Sequence, residues 1–105
     1  MDISTDRRSE KVVHVVVSGE IDMETVDAVR RAVTEALRTT GVEDVLVDMA
    51  GVTFCDSSGI AVFDETYQTA AEQGVRFRLF GVRPGVRRVL EIVGLLEPLT
   101  APLSP

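Results

Sequence analysis

The chain is 105 residues long, carries a net charge of −6 and contains a single cysteine, Cys55. This length fits one domain with its own core, and a lone cysteine excludes both an internal disulfide framework and a multi-cysteine zinc site. An acidic chain lacks the basic surface that binding to a phosphate backbone requires, so we expect no nucleic-acid partner.

The sequence shows no signal for export or for insertion into a membrane. Its first residues are polar and of mixed charge, without the apolar stretch of a signal peptide. The longest apolar run, around residues 15–17, is far too short to cross a bilayer. We therefore expect a cytoplasmic protein with no membrane partner.

The first half of the chain predicts a strand, a helix and a second strand. Residues 12–17 are β-branched and almost continuously apolar, which favours a strand buried on both faces. Residues 23–39 predict an amphipathic helix, because their apolar side chains recur in steps of three and four. Residues 45–47 form a short apolar strand, and residues 1–5 are expected to add an antiparallel strand. The apolar stripe of the predicted helix consists of Met23, Val26, Val29, Val33, Ala36 and Leu37.

The second half continues this alternation. Residues 57–73 predict a second helix, and residues 76–80 alternate between polar and apolar, as in a strand near an edge. A third helix is expected to begin near Pro84 and to end before Gly94. Three prolines predict an irregular tail over residues 98–105. The buried stripe of the third helix is expected to be Val86, Val89, Leu90 and Val93.

Strands that are linked by helices pair in parallel through right-handed crossovers, so this order of elements predicts a single α/β domain. Sites in such folds gather outside the carboxyl ends of the strands. Three loops are expected to meet there, at residues 18–22, 53–59 and 81–85. Asp22 and Ser58 then become neighbours in space, although they lie far apart in sequence.

The most informative segment lies at the predicted start of the second helix and consists of Asp56, Ser57, Ser58 and Gly59. Backbone N–H groups there have no partner within the helix, and the helix dipole favours negative charge. A phosphate added to a serine would be held by the helix, while Asp56 and Asp22 would repel it. The alternative interpretation is that these residues only cap the helix. Composition alone favours the capping interpretation.

Three segments, taken in order, resemble the bacterial anti-sigma factor antagonists, which are small STAS domains. Residues 54–60, Phe-Cys-Asp-Ser-Ser-Gly-Ile, resemble the phosphorylation motif, and residues 19–22, Gly-Glu-Ile-Asp, resemble the first-loop motif. The similarity covers residues 12–96. It implies a single STAS domain over residues 1–105, with a small, mixed, mostly parallel sheet and helices packed mainly on one face. The third segment has the family's spacing at Pro84, Val86, Arg88, Leu90, Gly94 and Leu95.

The resemblance implies a partner switch without a cofactor or enzymatic activity of its own. The unphosphorylated antagonist binds an anti-sigma factor that is also a serine kinase, and a sigma factor is released. The kinase then phosphorylates the second serine of the motif, here Ser58 with Ser57 as second choice, and a metal-dependent serine phosphatase reverses this. The family usually has a further helix after the position of Leu99, whose contacts are expected to be absent or replaced here. The partner-binding residues are expected to be Asp22, Asp56, Ser57, Ser58 and Gly59.

A serine hydrolase is the enzymatic alternative, and the sequence disfavours it. The only histidine, His14, lies in the middle of a predicted strand, far from Ser58, and no Gly-x-Ser-x-Gly motif is present. One histidine also cannot form a histidine-based metal cluster. Asp56 is expected to raise the pKa of the Cys55 thiol, so a reactive thiolate is not expected.

Two further alternatives concern the arginines and the mode of action. Arg83, Arg87 and Arg88 either contact a phosphate at the same edge or are solvated helix charges, and we favour solvated charges. The chain is alternatively a non-switching STAS scaffold, or a subunit of a larger regulatory complex that senses a small ligand. Incubation with ATP and the host's sigma-regulatory kinases distinguishes a switch from a scaffold, since a scaffold would incorporate no phosphate with any of these kinases.

Overall fold

The computed structural model describes residues 1–103, and residues 104–105 of the predicted tail lie outside the described residues. The elements in chain order are β1 (Asp2–Arg7), β2 (Val12–Ile21), α1 (Val26–Leu37), β3 (Asp44–Cys55), α2 (Ser57–Glu72), β4 (Arg76–Phe80), α3 (Pro84–Ile92) and α4 (Leu96–Thr100). The strands form one sheet in the order β1-β2-β3-β4. β1 is antiparallel to β2, whereas β2, β3 and β4 are parallel. The predicted α/β class is confirmed.

Side chains of β2 alternate between the two faces of the sheet. Val13, Val15 and Val17 are buried, while His14 and Val16 remain partly exposed. The prediction of a strand buried on both faces was therefore wrong. A run of valines has the same appearance in sequence whether one face or both faces are covered.

The first two helices lie on one face of the sheet. α1 connects β2 to β3 and α2 connects β3 to β4, so both crossovers step in the same direction across the sheet. Right-handed connections then place both helices on the same side. Phe63 of α2 packs there against Phe77 of β4, with ring centroids 6.4 Å apart. The side chains that α1 buries are Val26, Val29, Val33, Ala36 and Leu37.

Two of the predicted apolar stripes were too wide. Met23 precedes α1 and is 82% exposed, although the spacing placed it on the buried stripe. In α3, Val86 and Leu90 are buried, but Val89 and Val93 are 37% and 51% exposed. Periodicity identifies the side of a helix that can be buried, and the neighbouring elements decide how much of that side is covered.

β3 is much longer than the predicted strand, because it continues through two register shifts. It advances from Asp48 to Cys55 while β2 advances only from Val16 to Ile21, so β3 accommodates two more residues than its neighbour. Each extra residue lets the next apolar side chain face the core. The buried apolar positions of β3 are Val45, Val47, Met49, Val52 and Cys55.

The predicted irregular tail over residues 98–105 begins with a helix, α4, so that prediction was wrong at its start. Pro98 lies in the first turn of α4, where its missing N–H would have had no partner. Leu99 is fully buried, and α4 contacts both β4 and α3. Arg76 Nη1 then donates a hydrogen bond to the carbonyl oxygen of Leu103 at 2.9 Å. These contacts hold the segment after α4 against β4.

Candidate functional site

The candidate site lies where β2 and β3 end side by side. Ile21 and Cys55 are paired in the register of the two strands. The backbone N–H of Asp56 also donates to the carbonyl oxygen of Ile21 at 3.0 Å. The structure therefore brings the turn that begins at Asp22 and the start of α2, which carries Ser58, to one edge of the sheet.

Asp56 is the N-cap of α2, and its carboxylate organises the first turn. Asp56 Oδ1 accepts hydrogen bonds from the backbone N–H groups of Ser58 at 2.9 Å and Gly59 at 3.4 Å. The Ser58 hydroxyl donates to the same oxygen at 2.5 Å. This hydroxyl and the two N–H groups hold the pKa of the Asp56 carboxyl below its ordinary value, against the opposing effect of burial. Asp56 is therefore ionised at neutral pH.

These contacts correct one sequence-based expectation about the helix start. The N–H groups of Ser58 and Gly59 are not open to a phosphate, because the Asp56 carboxylate already accepts from both of them. The capping interpretation therefore holds for Asp56. Ser57 is exposed and Ser58 is half-buried, so the two serines differ in surroundings as well as in hydrogen bonding.

Gly59 lets α2 begin directly on the ends of the strands. A Cβ atom at this position would lie 2.5 Å from the sulfur of Cys55 and 2.7 Å from Cγ2 of Ile21. Cys55 itself is buried, and burial together with the neighbouring Asp56 charge raises the pKa of its thiol to about 12. The thiol is thus protonated at neutral pH, and it fills space beneath the helix start.

Asp22 is bound to Thr25 by reciprocal hydrogen bonds. Asp22 Oδ1 accepts from the backbone N–H groups of Glu24 at 2.9 Å and Thr25 at 3.1 Å, and the Asp22 N–H donates to Thr25 Oγ1 at 2.9 Å. The reciprocal pattern is that of a capping box, with threonine in the position that Glu or Gln often occupies, but it closes the turn before α1, whose N-cap is Thr25. Sequence reasoning missed Thr25, although the Asp-x-x-Thr spacing before an apolar stripe was a usable signal.

The third loop does not join the other two. β4 ends at Phe80, which pairs with Asp48, so β3 continues beyond the end of β4 as far as Cys55. Arg83, at the start of α3, donates from Nε to the carbonyl oxygen of Ala50 at 2.7 Å. The expectation that residues 81–85 meet the Ser58 loop was wrong, because β4 is much shorter than β3.

The surface around Ser58 is acidic and includes exposed apolar side chains. The sequence has no Lys or Arg within residues 12–29 or 39–75. Met23 is 82% exposed and Phe54 is 49% exposed. Sequence reasoning placed Met23 on the buried stripe of the first helix and gave Phe54 no role outside the motif, because exposure of an apolar residue has no signature in a single sequence. The acidic residues of this edge are Glu20, Asp22, Glu24 and Asp56.

The edge lacks the groups that nucleophilic catalysis by serine needs. His14 is separated from Ile21 by about 23 Å of β2, and its ring lies instead 5.7 Å from that of Phe80. Among residues 1–103, no group of three or more His, Cys, Asp or Glu side chains is arranged to hold a metal ion. Within the same residues, none of the helices combines the length and the apolar character that spanning a membrane requires.

Comparisons with known proteins agree on one family. A profile of the STAS domain matches residues 5–104. An anti-sigma F factor antagonist of Paenibacillus polymyxa is 33% identical over 86 residues, which cover 82% of this chain and 74% of the relative. An anti-sigma-B factor antagonist of Staphylococcus aureus is 30% identical over 88 residues, which cover 84% of this chain and 81% of the relative.

Solved structures show the same fold. Unphosphorylated SpoIIAA, an anti-sigma factor antagonist, superposes with a TM-score of 0.81 at 22% identity, covering 94% of this chain and 85% of that one. Phosphorylated SpoIIAA of Bacillus superposes with a TM-score of 0.75 at 21% identity, covering 94% of this chain and 88% of that one. An anti-sigma factor antagonist of Mycobacterium paratuberculosis superposes with a TM-score of 0.79 at 28% identity, covering 97% of this chain and 88% of that one.

Proposed function

The chain belongs to the STAS domain family, and from this premise we propose that it is an anti-sigma factor antagonist controlled by phosphorylation of Ser58. Its unphosphorylated form binds an anti-sigma factor that is also a serine kinase, and a sigma factor is released. The relatives named above are regulatory binding proteins. This chain is likewise a regulatory binding protein and not an enzyme.

The hydrogen bond from the Ser58 hydroxyl to Asp56 is the observation that carries this proposal. A phosphate ester at Ser58 has no hydroxyl proton left to donate, so that bond is lost. The ester also adds roughly 1.5 to 2 negative charges beside a carboxylate that is already ionised. None of the ion pairs among the described residues involves this edge, so no Lys or Arg side chain is already paired with its carboxylates.

The added charge acts on the interface more than on the fold. A partner that covers Ser58 would have to desolvate the phosphate next to Asp56 and the acidic turn of Asp22. Shifting a complex from 99% bound to 1% bound takes about 5.5 kcal/mol, and an unpaired buried charge together with like-charge repulsion reaches that scale. SpoIIAA was solved both unphosphorylated and phosphorylated, and the fold of this chain is similar to both. That similarity supports a switch without rearrangement of the fold.

The other components follow from the same proposal. A metal-dependent serine phosphatase removes the phosphate and restores binding. Asp22, Asp56, Ser57 and Ser58 form the centre of the surface that the kinase recognises, whereas Gly59 is buried and supports this surface from beneath. The location is cytoplasmic, because the sigma factors that the relatives regulate act on transcription.

Phosphosite mapping tests the proposal. The purified chain is incubated with ATP and each of the host's anti-sigma factor kinases, and the phosphate is located by mass spectrometry. Cleavage after Glu43 and Glu65 is preferable to trypsin, because trypsin has no site between Arg38 and Arg76.

We expect phosphate on Ser58 in the wild-type protein and in Ser57→Ala, and none in Ser58→Ala. Phosphate mainly on Ser57 would contradict the assignment of the acceptor. No incorporation with any of these kinases would contradict the switch and would favour a non-switching scaffold.

A further inference from the structure

We infer that Met23 and Phe54 provide the apolar contacts by which the chain binds its kinase, and that the kinase presents an apolar recess bordered by Lys or Arg side chains. This inference rests on the proposed function and deepens it. It assigns a binding role to two residues other than the acceptor Ser58 and the helix cap Asp56. It also specifies the chemistry of the partner's surface.

The first observation is the exposure of both side chains. Met23 is 82% exposed and Phe54 is 49% exposed, whereas methionine and phenylalanine are residue types that folded proteins usually bury. Met23 directly follows Asp22, and Phe54 precedes Asp56 by two positions. Both therefore lie at the end of the sheet that carries Ser58, Met23 in the turn after β2 and Phe54 on the face of the sheet opposite α2. A partner that contacts the serine and extends over the end of the sheet would cover them.

The second observation is that the backbone beneath both side chains is already fixed. Met23 lies inside the turn that Asp22 and Thr25 close with reciprocal hydrogen bonds. Phe54 is paired with Glu20 across the ladder of β2 and β3. Binding therefore orders only two side chains and no loop, which keeps the loss of conformational entropy small.

The third observation concerns charge and determines the kind of partner. The charged residues that flank Met23 and Phe54 in sequence, and the Glu20 that pairs with Phe54 across the ladder, are acidic, and residues 12–29 and 39–75 contain no Lys or Arg. A partner surface with cations around its recess would match this pattern, and apolar contacts ringed by polar groups are the usual composition of a binding hot spot. The acidic neighbours are Glu20, Asp22, Glu24 and Asp56, and none of them takes part in an ion pair among the described residues.

A second exposed apolar group, on α3, provides the matched control. Ile92 is 73% exposed and Val93 is 51% exposed, but α3 also carries Arg87 and Arg88. Its charge pattern therefore differs from that of the Ser58 edge. Ile92→Ala removes an apolar side chain of similar size and exposure at a different part of the surface.

The experiment measures calorimetric affinity for the host's purified anti-sigma factor kinases, with the unphosphorylated chain. Met23→Ala and Phe54→Ala should each lower the affinity by roughly tenfold. Both should slow phosphorylation of Ser58 at low protein concentration, while Ile92→Ala changes neither quantity. Affinity of the wild-type protein should fall as salt is raised, since the charged partners are screened. Thermal unfolding of each variant, and of Met23→Gln, verifies that the fold is kept.

The outcomes separate this inference from the function on which it rests. If the wild-type chain binds a kinase and is phosphorylated on Ser58, but both alanine variants bind as well as wild type, the inference is wrong and the proposed function stands. An equal loss in Ile92→Ala would also overturn it, since binding would then not be specific to this edge. If the wild-type chain binds none of the kinases, the inference about Met23 and Phe54 and the proposed function are both wrong.

Discussion

Ser58 and Asp56 form a coupled pair, because one carboxylate oxygen accepts from the hydroxyl and from two backbone N–H groups of α2. The hydroxyl makes the largest contribution to the low pKa of Asp56. A change at Ser58 therefore alters the hydrogen bonding and the pKa of the carboxylate that caps the helix. This is a local link between a modification and the charge distribution of the edge.

We predict that Ser58→Ala raises the pKa of the Asp56 carboxyl toward its ordinary value of 3.8. Alanine removes the hydroxyl donor and leaves the two backbone donors in place. The shift is measured by following the Asp56 carboxyl carbon by NMR as pH is varied. Ser57→Ala is the control and should leave this titration unchanged, and an unchanged titration in Ser58→Ala would show that the hydroxyl bond does not exist in solution.

The same pair predicts how stability depends on pH. Because the folded pKa of Asp56 is lowered, its contribution to stability is fully present above about pH 3.8 and is lost as pH falls through the folded value. Ser58→Ala should bring the folded pKa of Asp56 closer to its unfolded value. Between pH 5 and strongly acidic conditions, the unfolding temperature of the variant should therefore fall less than that of the wild-type protein. Parallel thermal scans at several pH values check this, and a steeper acid loss in the variant would contradict it.

Asp22 has two separable roles, a cap and a charge. Asp22→Asn keeps an acceptor oxygen for the N–H groups of Glu24 and Thr25, whereas Asp22→Ala removes it. We expect Asn to leave unfolding nearly unchanged and Ala to cost about 1 kcal/mol. Both variants should bind the kinase more weakly, because both lose the negative charge. Full binding by Asp22→Asn would limit Asp22 to a structural role.

At the scale of elements, the contact of α2 with the strand ends depends on Gly59. We expect Gly59→Ala to lower the free energy of unfolding by about 1–3 kcal/mol, since its Cβ would overlap Cys55 and Ile21. Gly85→Ala in α3 is the control, because nothing lies within 4 Å of its Cβ position. The free energy of unfolding of Gly85→Ala should equal that of the wild-type protein or exceed it by up to about 1 kcal/mol. Denaturant unfolding compares them, and equal stabilities would show that α2 can shift without cost.

The sequence allowed some elements to be predicted closely and others only in part. α2 and β4 have the predicted bounds within a residue, because a cap, an apolar stripe and a glycine delimit them. β3 was truncated in the prediction, since Met49, Val52 and Cys55 are spaced by three and break the alternation of a regular strand. The register shifts that produce this spacing arise from pairing with β2, which a single sequence does not contain.

The site shows the same limit. The proximity of Asp22 to the Ser58 turn could be predicted, because both follow adjacent parallel strands. The separate position of Arg83 could not, because it depends on where β4 stops relative to β3. The exposure of Met23 was also missed, since the Asp22–Thr25 turn delays the start of α1 and removes Met23 from its buried face.

For the whole molecule, the switch is expected to change binding without changing the fold. We predict that Ser58→Asp lowers affinity for the kinase by roughly a hundredfold, while backbone amide shifts change only near the start of α2. Ser58→Ala cannot be phosphorylated and should bind constitutively. Calorimetry and amide spectra of the free protein test this together. Large shift changes spread over the sheet would point to a conformational switch instead of an electrostatic one.

The second register shift also bears on how the chain tolerates insertion and deletion. Gly19 pairs with Val52 and Glu20 with Phe54, so Thr53 is the unmatched residue between two ladder pairs. Deleting Thr53 would leave Val52 and Cys55 on the buried face and Phe54 on the other, so a regular strand would replace the shifted one. Deleting Leu46 would instead transfer every later side chain of β3 to the opposite face. Homologous chains can therefore differ by one residue at this point, and the number of residues between Asp22 and Asp56 can vary while their relative positions are kept.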